Sequence, residues 1–308
     1  MKCRRCLARA EVKLRAHNTA FCRACFVLFF GRQVDRCIVK NRMFSHGDRV
    51  LVAVSGGKDS LGLWHALASQ GYETTGLHLS LGIGDYSTQS REKTEAFARV
   101  HGLPLIVRDL RTLDEDISIP TVAAFTNRRP CAACGRIKRH CFDTAALEHG
   151  FTVIATGHNL DDEAARLLGN VLHWQRQHLA KQRPVLDPTH PKFVTKVRPL
   201  YLVSEYETAA YAFFNGIDCV VDECPNSVGA TQLVYKATLN RLEAEMPGTK
   251  QAFVRDFQRI AQPVFAAAES PPAGECSVCG MPSYGSACSF CTLVAEVRAK
   301  RERARATL

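Results

Sequence analysis

The sequence has no long apolar run and no segment of the kind that directs secretion. Its longest apolar cluster, Phe26 to Phe30, is far shorter than the roughly 20 apolar residues that a membrane-spanning helix requires. The basic stretch Met1 to Arg9 is followed by Glu11, Lys13 and Arg15, where the apolar core of a signal peptide would begin. The sequence therefore predicts a cytoplasmic protein with no membrane partner.

Cysteine, in contrast, is abundant, with 14 residues among 308. In a reducing compartment, closely spaced thiols more often bind metal than form disulfides. Lysine and arginine together number 40 against 30 acidic residues, a formal charge of +10. Two zinc ions held by eight thiolates would lower this charge to about +6, because each four-thiolate site carries about −2. The remaining basic excess suits a polyanionic partner such as nucleic acid.

Pairs of the form Cys-x-x-Cys lie at both ends of the chain and predict two structural zinc sites. The predicted ligands are Cys3, Cys6, Cys22 and Cys25 at one end and Cys276, Cys279, Cys288 and Cys291 at the other. These sites divide the chain into an N-terminal zinc module at residues 1–36, a catalytic domain at 37–268, and a C-terminal zinc module with a basic helix at 269–308.

Between the zinc modules, short apolar strands alternate with amphipathic helices. The predicted strands are Arg49 to Val54, Thr74 to Leu79, Leu103 to Asp109 and Phe151 to Thr156. The predicted helices are Asp59 to Gln70, Gln89 to His101, Cys134 to Glu148 and Asp161 to Leu172. Such alternation indicates an α/β fold in which helices cover both faces of a parallel sheet.

A glycine turn joins the first of these strands to the first helix. Its sequence, Ser55-Gly-Gly-Lys-Asp-Ser60, brings two flexible glycines, a helix N-terminus and Lys58 to one point, which should bind a phosphate. Because the turn lacks the spacing of the Walker loop, transfer of the γ-phosphoryl group is not favoured. It resembles the pyrophosphate loop of the ATP pyrophosphatase superfamily, whose members release pyrophosphate and adenylate a substrate oxygen.

Consecutive carboxylates follow the last predicted strand, in the segment Gly157-His-Asn-Leu-Asp-Asp-Glu163. Acidic side chains at the start of a helix complement its dipole, and this alone could explain them. Alternatively, one of them holds the magnesium ion that accompanies ATP, or orients the reacting group. Successive helical residues point about 100° apart, so Asp161 and Asp162 cannot both face the same phosphate.

A third Cys-x-x-Cys pair, Cys131 and Cys134, has no second pair that would complete a zinc site. Three interpretations are open: a redox pair, a zinc site that recruits His140 or Cys141, and part of an iron–sulfur cluster. The cysteines outside all these pairs are Cys37, Cys141, Cys219 and Cys224.

We favour a four-iron cluster held by Cys131, Cys134 and Cys224. Cys141 lies about 10 Å along the helix axis from Cys134, which is too far for one small cluster. Cys219 and Cys224 would point to opposite faces of an extended segment, so only one of them joins. Cys224 precedes a proline, as cluster cysteines often do. Three protein ligands leave one iron open, where a sulfide or hydrosulfide could bind.

Lys138 follows Cys134 by one helical turn and should lie beside any cluster. Its ammonium group could stabilise the charge that develops while a pyrimidine carbonyl oxygen is adenylated. The alternative is a solvated lysine on a basic helix with Arg136 and Arg139.

Together these motifs resemble the TtuA family of tRNA 2-thiouridine synthetases, within the ATP pyrophosphatase superfamily. The matching segments are the terminal Cys-x-x-Cys pairs, Ser55 to Ser60, Gly76 to Ile83, Cys131 to Arg139, Gly157 to Asp162 and Glu223 to Ser227. The resemblance covers nearly the whole chain, and its motifs occur in order. It extends to the wobble-uridine thiolases of archaea and the eukaryotic cytosol and, more distantly, to TtcA, which thiolates cytidine. Cys141, a third thiol on one helix, departs from the usual pattern.

The resemblance implies an adenine nucleotide alpha hydrolase-like fold and a transferase that uses ATP to replace the C2 oxygen of a tRNA uridine by sulfur. Asp59, Lys138 and Asp162 would be catalytic, with Asp162 favoured over Asp161. Implied cofactors are ATP, Mg²⁺, one [4Fe-4S] cluster and two Zn²⁺. ATP would bind at Ala53, Ser55, Gly56, Gly57, Lys58, Asp59, Ser60, His78 and Gly157.

The resemblance also implies partners. The chain contains no rhodanese-like or ubiquitin-like segment, so the sulfur would come from a thiocarboxylated ubiquitin-like carrier protein, and the family suggests a homodimer. Uridine 54 in the tRNA T-loop is the favoured target, and wobble uridine 34 is the alternative. Two other functions stay open: a PP-loop tRNA-modifying ligase in which the three cysteines are idle, and a zinc-binding RNA scaffold with an inactive nucleotide site.

Overall fold

The N-terminal zinc module consists of a hairpin that leads into a long helix. The computed structural model describes residues 1–113, 115–266 and 273–306. Strands β1 (Val12–Leu14) and β2 (Thr19–Phe21) pair antiparallel, and helix α1 (Arg23–Lys40) then buries Phe26 and Phe30 in the main core. Because α1 continues through residue 36, the expected limit of the first module falls inside a helix. The three-part division of the chain stays a prediction.

Six strands form the central sheet of the described chain. They are β3 (Arg49–Val54), β4 (Glu73–Ser80), β5 (Leu105–Asp109), β6 (Val153–Thr156), β7 (Val185–Leu186) and β8 (Thr195–Val197). Their order is β5-β4-β3-β6-β8-β7, and all neighbours run parallel except the edge pair of β7 and β8. Parallel neighbours need crossover connections, which here are mostly helices. The predicted α/β fold with a parallel sheet is confirmed.

Helices between and after these strands cover both faces of the sheet. They are α2 (Lys58–Ser69), α3 (Gly84–His101), α4 (Ile119–Phe125), α5 (Pro130–Glu148), α6 (Leu160–Leu172), α7 (Arg176–Ala180) and α8 (Glu205–Phe214). Val50 and Val52 of β3 join the apolar cluster that contains Trp64 of α2, whereas Leu51 joins the cluster that contains Ile137 of α5. Because side chains alternate along a strand, β3 contributes to both layers.

The predicted strands and helices are present, with shifted ends. The shift with most consequence is at α5, which begins at Pro130 rather than at Cys134. Proline is favoured at the first helical position, because an N–H group there would have no intrahelical partner. Cys131 and Cys134 therefore lie three residues apart on one helix, which places their side chains on the same face.

The C-terminal part adds helices and a second small hairpin. Its elements are α9 (Thr231–Glu245), α10 (Thr249–Asp256), α11 (Gln262–Ala266), β9 (Gly274–Glu275), β10 (Pro282–Ser283) and α12 (Ser289–Ala306). Leu293 and Val297 of α12 are buried with residues of α4 and α5. The predicted boundary between residues 268 and 269 lies outside the described residues. None of the described helices combines the length and apolar character needed to cross a membrane.

Candidate active site

The glycine turn at residues 55–57 leads from β3 directly into α2. Gly56 has a φ of +77°, and a Cβ atom there would lie 2.6 Å from the carbonyl oxygen of Ser90, so this position requires glycine. In the first turn of α2, the Ser60 hydroxyl oxygen accepts a hydrogen bond from the backbone N–H of Ser55 (3.1 Å). The turn and the free N–H groups at the start of α2 therefore form a site that fits a phosphate group.

The carboxyl ends of β3, β4 and β6 meet beside this phosphate turn. Val54 at the end of β3 pairs in register with His78 of β4, and β6 lies on the other side of β3. Gly157 follows β6, and a Cβ atom there would lie 2.9 Å from the backbone nitrogen of Ser60. Residues predicted to bind the nucleotide thus come from neighbouring strand ends, where open α/β sheets bind ligands.

A pocket opens at these strand ends and is closed on other sides by α3 and α5. Its wall includes Ala53, Ser55, His78, Tyr86, Ser90 and Lys138. The Nδ1 atom of buried His78 lies 3.0 Å from the Val54 carbonyl oxygen, to which it donates, while Nε2 has no partner. Burial lowers the pKa of His78, so the ring is neutral near neutral pH. Its Nε2 is then an acceptor that a nucleoside hydroxyl or amino group would satisfy.

Asp59 of α2 is held by donors from several elements. Its Oδ1 accepts hydrogen bonds from Asn159 Nδ2 (3.1 Å) and from the Thr208 hydroxyl group. Its Oδ2 lies 3.2 Å from Lys58 Nζ. Asn159 is the N-cap of α6 and Thr208 belongs to α8, so Asp59 ties both helices to the phosphate turn.

Asp161 and Asp162 point in different directions, as their positions on a helix require. Asp161 is buried; its Oδ1 lies 2.5 Å from Lys250 Nζ, and its Oδ2 accepts a hydrogen bond from the first backbone N–H of α8 (2.7 Å). Asp162 Oδ1 lies 3.0 Å from Lys236 Nζ. Burial raises the pKa of Asp162; Lys236 opposes this shift, and nearby Asp59 adds to it. Asp161 therefore supports the fold, whereas Asp162 shares Lys236 with Glu205, the carboxylate that also binds Lys58.

The three cysteines of the predicted iron–sulfur cluster come from two segments that meet. Cys131 Sγ donates a hydrogen bond to the carbonyl oxygen of Asn226 (3.1 Å), in the short 3₁₀ turn that follows Cys224. Cys134 and Cys224 pack against the same apolar cluster. Burial raises the pKa of the Tyr86 phenol, and the charges of Cys224 and Cys134 raise it further. Tyr86, which lines the pocket, packs against the same apolar cluster as Cys134 and Cys224.

The two terminal cysteine groups form tight sets of ligand atoms. Within each set, all four sulfur atoms lie within 4.8 Å of one another. The sulfurs of Cys6 and Cys22 are 3.6 Å apart, and those of Cys279 and Cys288 are 3.7 Å apart. A tetrahedral zinc ion with Zn–S bonds of about 2.3 Å holds its sulfurs about 3.8 Å apart. Both sets therefore fit Zn²⁺.

The alternative zinc site at Cys131 and Cys134 is not formed among the residues that the structure describes. No third set of ligand atoms there is as tight as the two terminal sets. Cys141 is buried, and burial raises the pKa of its thiol to about 11. His140 stacks on Phe290 of α12, with ring centroids 3.8 Å apart. Neither side chain thus joins the pair.

Two charged side chains at the phosphate turn were not found by sequence analysis. Glu205, the first residue of α8, lies 2.7 Å from Lys58 Nζ through Oε1 and 2.7 Å from Lys236 Nζ through Oε2. The capping box of Ser204 and Glu207 indicates where α8 begins, but not what Glu205 faces. No local motif marks Lys236, because its position depends on the packing of α9 against α6.

Comparison with known proteins shows the family of this chain. Residues 30–230 match the family model of the PP-loop domain. A Thermus thermophilus protein named tRNA-5-methyluridine(54) 2-sulfurtransferase is 44% identical, over 98% of this chain and 94% of that protein. The protein of the same name from Pyrococcus horikoshii is 42% identical, over 94% of this chain and 93% of that protein.

A solved structure shows the same fold. The U34-tRNA thiolase NcsA from Methanococcus maripaludis, determined with its [4Fe-4S] cluster, matches with a TM-score of 0.81 and 26% identity, covering 96% of each chain. The matched range of the family model, residues 30–230, contains the phosphate turn and Cys131, Cys134 and Cys224. The chain therefore belongs to the TtuA family of PP-loop tRNA 2-sulfurtransferases.

Proposed function

We propose that this protein uses ATP to replace the C2 oxygen of 5-methyluridine 54 in tRNA by sulfur. Relatives that carry this activity in their names, at 44% and 42% identity, support the target. The observation that carries the proposal is the meeting of three features: the phosphate turn, a pocket with Lys138 and Tyr86 in its wall, and cysteines that pack with Tyr86. Cys134, Cys224 and Tyr86 pack against one apolar cluster, and Cys131 bonds the turn that follows Cys224. This arrangement supports both activation of a base and delivery of sulfur to it.

In the first step, the C2 oxygen of the uracil ring attacks the α-phosphorus of ATP, and pyrophosphate leaves. Backbone N–H groups of the phosphate turn and the ammonium group of Lys58 hold the departing phosphates. Lys138 stabilises the charge that develops on the C2 oxygen. Asp59 and Asp162 supply the hard carboxylate oxygens that a magnesium ion prefers when it accompanies ATP.

In the second step, a sulfide sulfur attacks C2, and AMP leaves with the former C2 oxygen. A C–S bond thus forms while the C2–O bond breaks. Cys131, Cys134 and Cys224 fit a [4Fe-4S] cluster, because iron–sulfur clusters are held by thiolates and the two segments that carry these three meet. With three protein ligands, a bound cluster supplies one open position for sulfur. A thiocarboxylated carrier protein would supply the sulfur, and a homodimer is the proposed assembly.

Wobble uridine 34 is the second candidate target. The observation in its favour is the likeness to NcsA, named a U34-tRNA thiolase, over 96% of both chains. Its 26% identity is well below that of the uridine 54 relatives. Uridine 54 is therefore the first candidate.

The test is nucleoside mass spectrometry of position-mapped tRNA fragments from cells that lack this protein. We expect 2-thiolation at position 54 to disappear, to return with the wild-type gene, and to stay absent with Cys224→Ser. Cys219→Ser is the matched control from the same segment and should restore thiolation. Loss at position 34 instead would favour the second candidate. Full restoration by Cys224→Ser would contradict the cluster mechanism and favour the ligase alternative.

A further inference from the structure

Two lysines from distant parts of the chain share one carboxylate at the phosphate turn. Lys58 Nζ lies 2.7 Å from Oε1 of Glu205, and Lys236 Nζ lies 2.7 Å from Oε2. Lys236 also lies 3.0 Å from Asp162 Oδ1. Lys58 is the first residue of α2, directly after the phosphate turn, and Lys236 belongs to α9, so the Glu205 carboxylate joins two helices through their ammonium groups.

The Glu205 carboxylate occupies a place where a phosphate would make the same contacts. Burial opposes its ionisation, but hydrogen bonds from Lys236 and Lys58 lower the pKa of Glu205 to about 2, so it is an anion at neutral pH. A tetrahedral phosphate likewise accepts charge-assisted hydrogen bonds from lysine on separate oxygens. The side chain of Glu205 is 32% exposed, so it can swing into solvent when another anion arrives.

The local charge of the side chains favours this exchange. Lys58 and Lys236 face three carboxylates, those of Asp59, Asp162 and Glu205, which leaves the group with a formal charge of −1. A phosphate chain entering this group would be repelled. Release of Glu205 from the two lysines removes one negative charge from the centre and frees both ammonium groups at once.

We propose that Lys236 is a second lysine that binds the leaving pyrophosphate of ATP, and that phosphate displaces Glu205 from both lysines when it binds. The release of pyrophosphate rests on the proposed function, but the binding of phosphate by these residues is tested without tRNA or sulfur. Lys236 also reaches Asp162, so bound phosphate and this carboxylate share one lysine.

The test measures binding of inorganic pyrophosphate, ATP and AMP, each with magnesium, to the full-length protein by calorimetry. We expect Lys236→Gln to weaken pyrophosphate and ATP binding roughly tenfold or more, and to leave AMP binding within about twofold. Lys236→Arg should keep most of the affinity. Glu205→Gln should tighten pyrophosphate binding about threefold or more, because the competing charge is gone.

The matched control is Lys93→Gln, which removes the same charge from a lysine that pairs with Asp218 (2.5 Å). It should leave all three affinities unchanged. Unaltered pyrophosphate binding by Lys236→Gln would overturn the inference, as would weaker binding by Glu205→Gln, which would identify Glu205 as a magnesium ligand. Wild-type protein that binds no pyrophosphate would overturn it as well. Loss of thiolation at position 54 is a separate readout, so the two proposals can fail independently.

Discussion

At the scale of single residues, the neighbouring carboxylates Asp161 and Asp162 have opposite expected effects. Asp161→Asn leaves Lys250 buried without its anion, which should lower the free energy of unfolding by about 3–5 kcal/mol. Asp162→Asn removes a charge that pairs with Lys236. It should cost less stability than Asp161→Asn, because Glu205 still pairs with Lys236, and should slow pyrophosphate release about 100-fold, because the phosphates or their metal ion are misplaced.

Denaturant-induced unfolding and pyrophosphate release in the presence of ATP, tRNA and sulfide would separate these effects. Each variant serves as the control for the other, since both change one carboxylate to an amide at adjacent positions. An Asp161→Asn protein of normal stability would contradict its structural role. An Asp162→Asn protein with the wild-type rate would contradict its role in the reaction.

At the scale of elements, a histidine–glutamate pair joins the β1–β2 hairpin to α8. His17 Nε2 lies 3.2 Å from Oε1 of Glu207, which is buried. The hydrogen bond that His17 donates to the Glu207 carboxylate raises the pKa of His17 above its ordinary value, and burial opposes this only in part. Because the pKa of His17 is raised on folding, the charged pair adds its full contribution to the free energy of unfolding below about pH 6.5. This contribution is lost as the pH rises through the folded-state pKa of His17.

We therefore expect His17→Gln to destabilise the protein by about 1–2 kcal/mol near pH 6 and by much less near pH 9. Denaturant unfolding of both proteins at each pH, with zinc present throughout, measures this difference. His46→Gln is the control, since His46 bonds the carbonyl oxygen of Gly71. If the loss of unfolding free energy in His17→Gln is constant or grows with pH, the charged pair of His17 and Glu207 does not stabilise the protein in this way.

Secondary structure could be predicted from the sequence, but contacts between helices and strands could not. The strands and their helices follow from local patterns: β3 is a run of apolar residues, and α2 starts where its glycine turn ends. The steric need for Gly157 does not follow from any pattern, because it depends on how closely β6 approaches α2. Glu205 and Lys236 were missed for the same reason: their contact exists only after α8 and α9 pack beside the phosphate turn.

At the scale of the whole molecule, the two zinc modules are attached differently. Val12, Leu14 and Phe21 of the N-terminal module belong to the main apolar cluster. The C-terminal cysteines Cys276, Cys288 and Cys291 form a small cluster of their own. The C-terminal module therefore reaches the sheet mainly through α12, whereas the first module is part of the larger core.

This difference predicts unequal effects of losing each metal ion. Cys6 and Cys279 are both exposed, so a change to serine at either position removes one zinc ligand with little loss of packing. Cys6→Ser should lower the Tm by roughly 6–12 °C, because a loss of about 3 kcal/mol shifts Tm by about 2–4 °C per kcal/mol in a domain of this size. Cys279→Ser should shift it much less, since Leu293 and Val297 still hold α12 against the core.

Calorimetric unfolding of both variants, with zinc content measured by atomic absorption, checks this prediction. Each variant should lose about one zinc ion per chain if each set binds one ion. Equal shifts of Tm, or a larger shift for Cys279→Ser, would contradict the difference in attachment. A Cys6→Ser protein that loses zinc but unfolds at the wild-type Tm would also contradict it. In that case the apolar contacts of Val12, Leu14 and Phe21 would suffice to hold the hairpin of β1 and β2 on α1 without the metal ion.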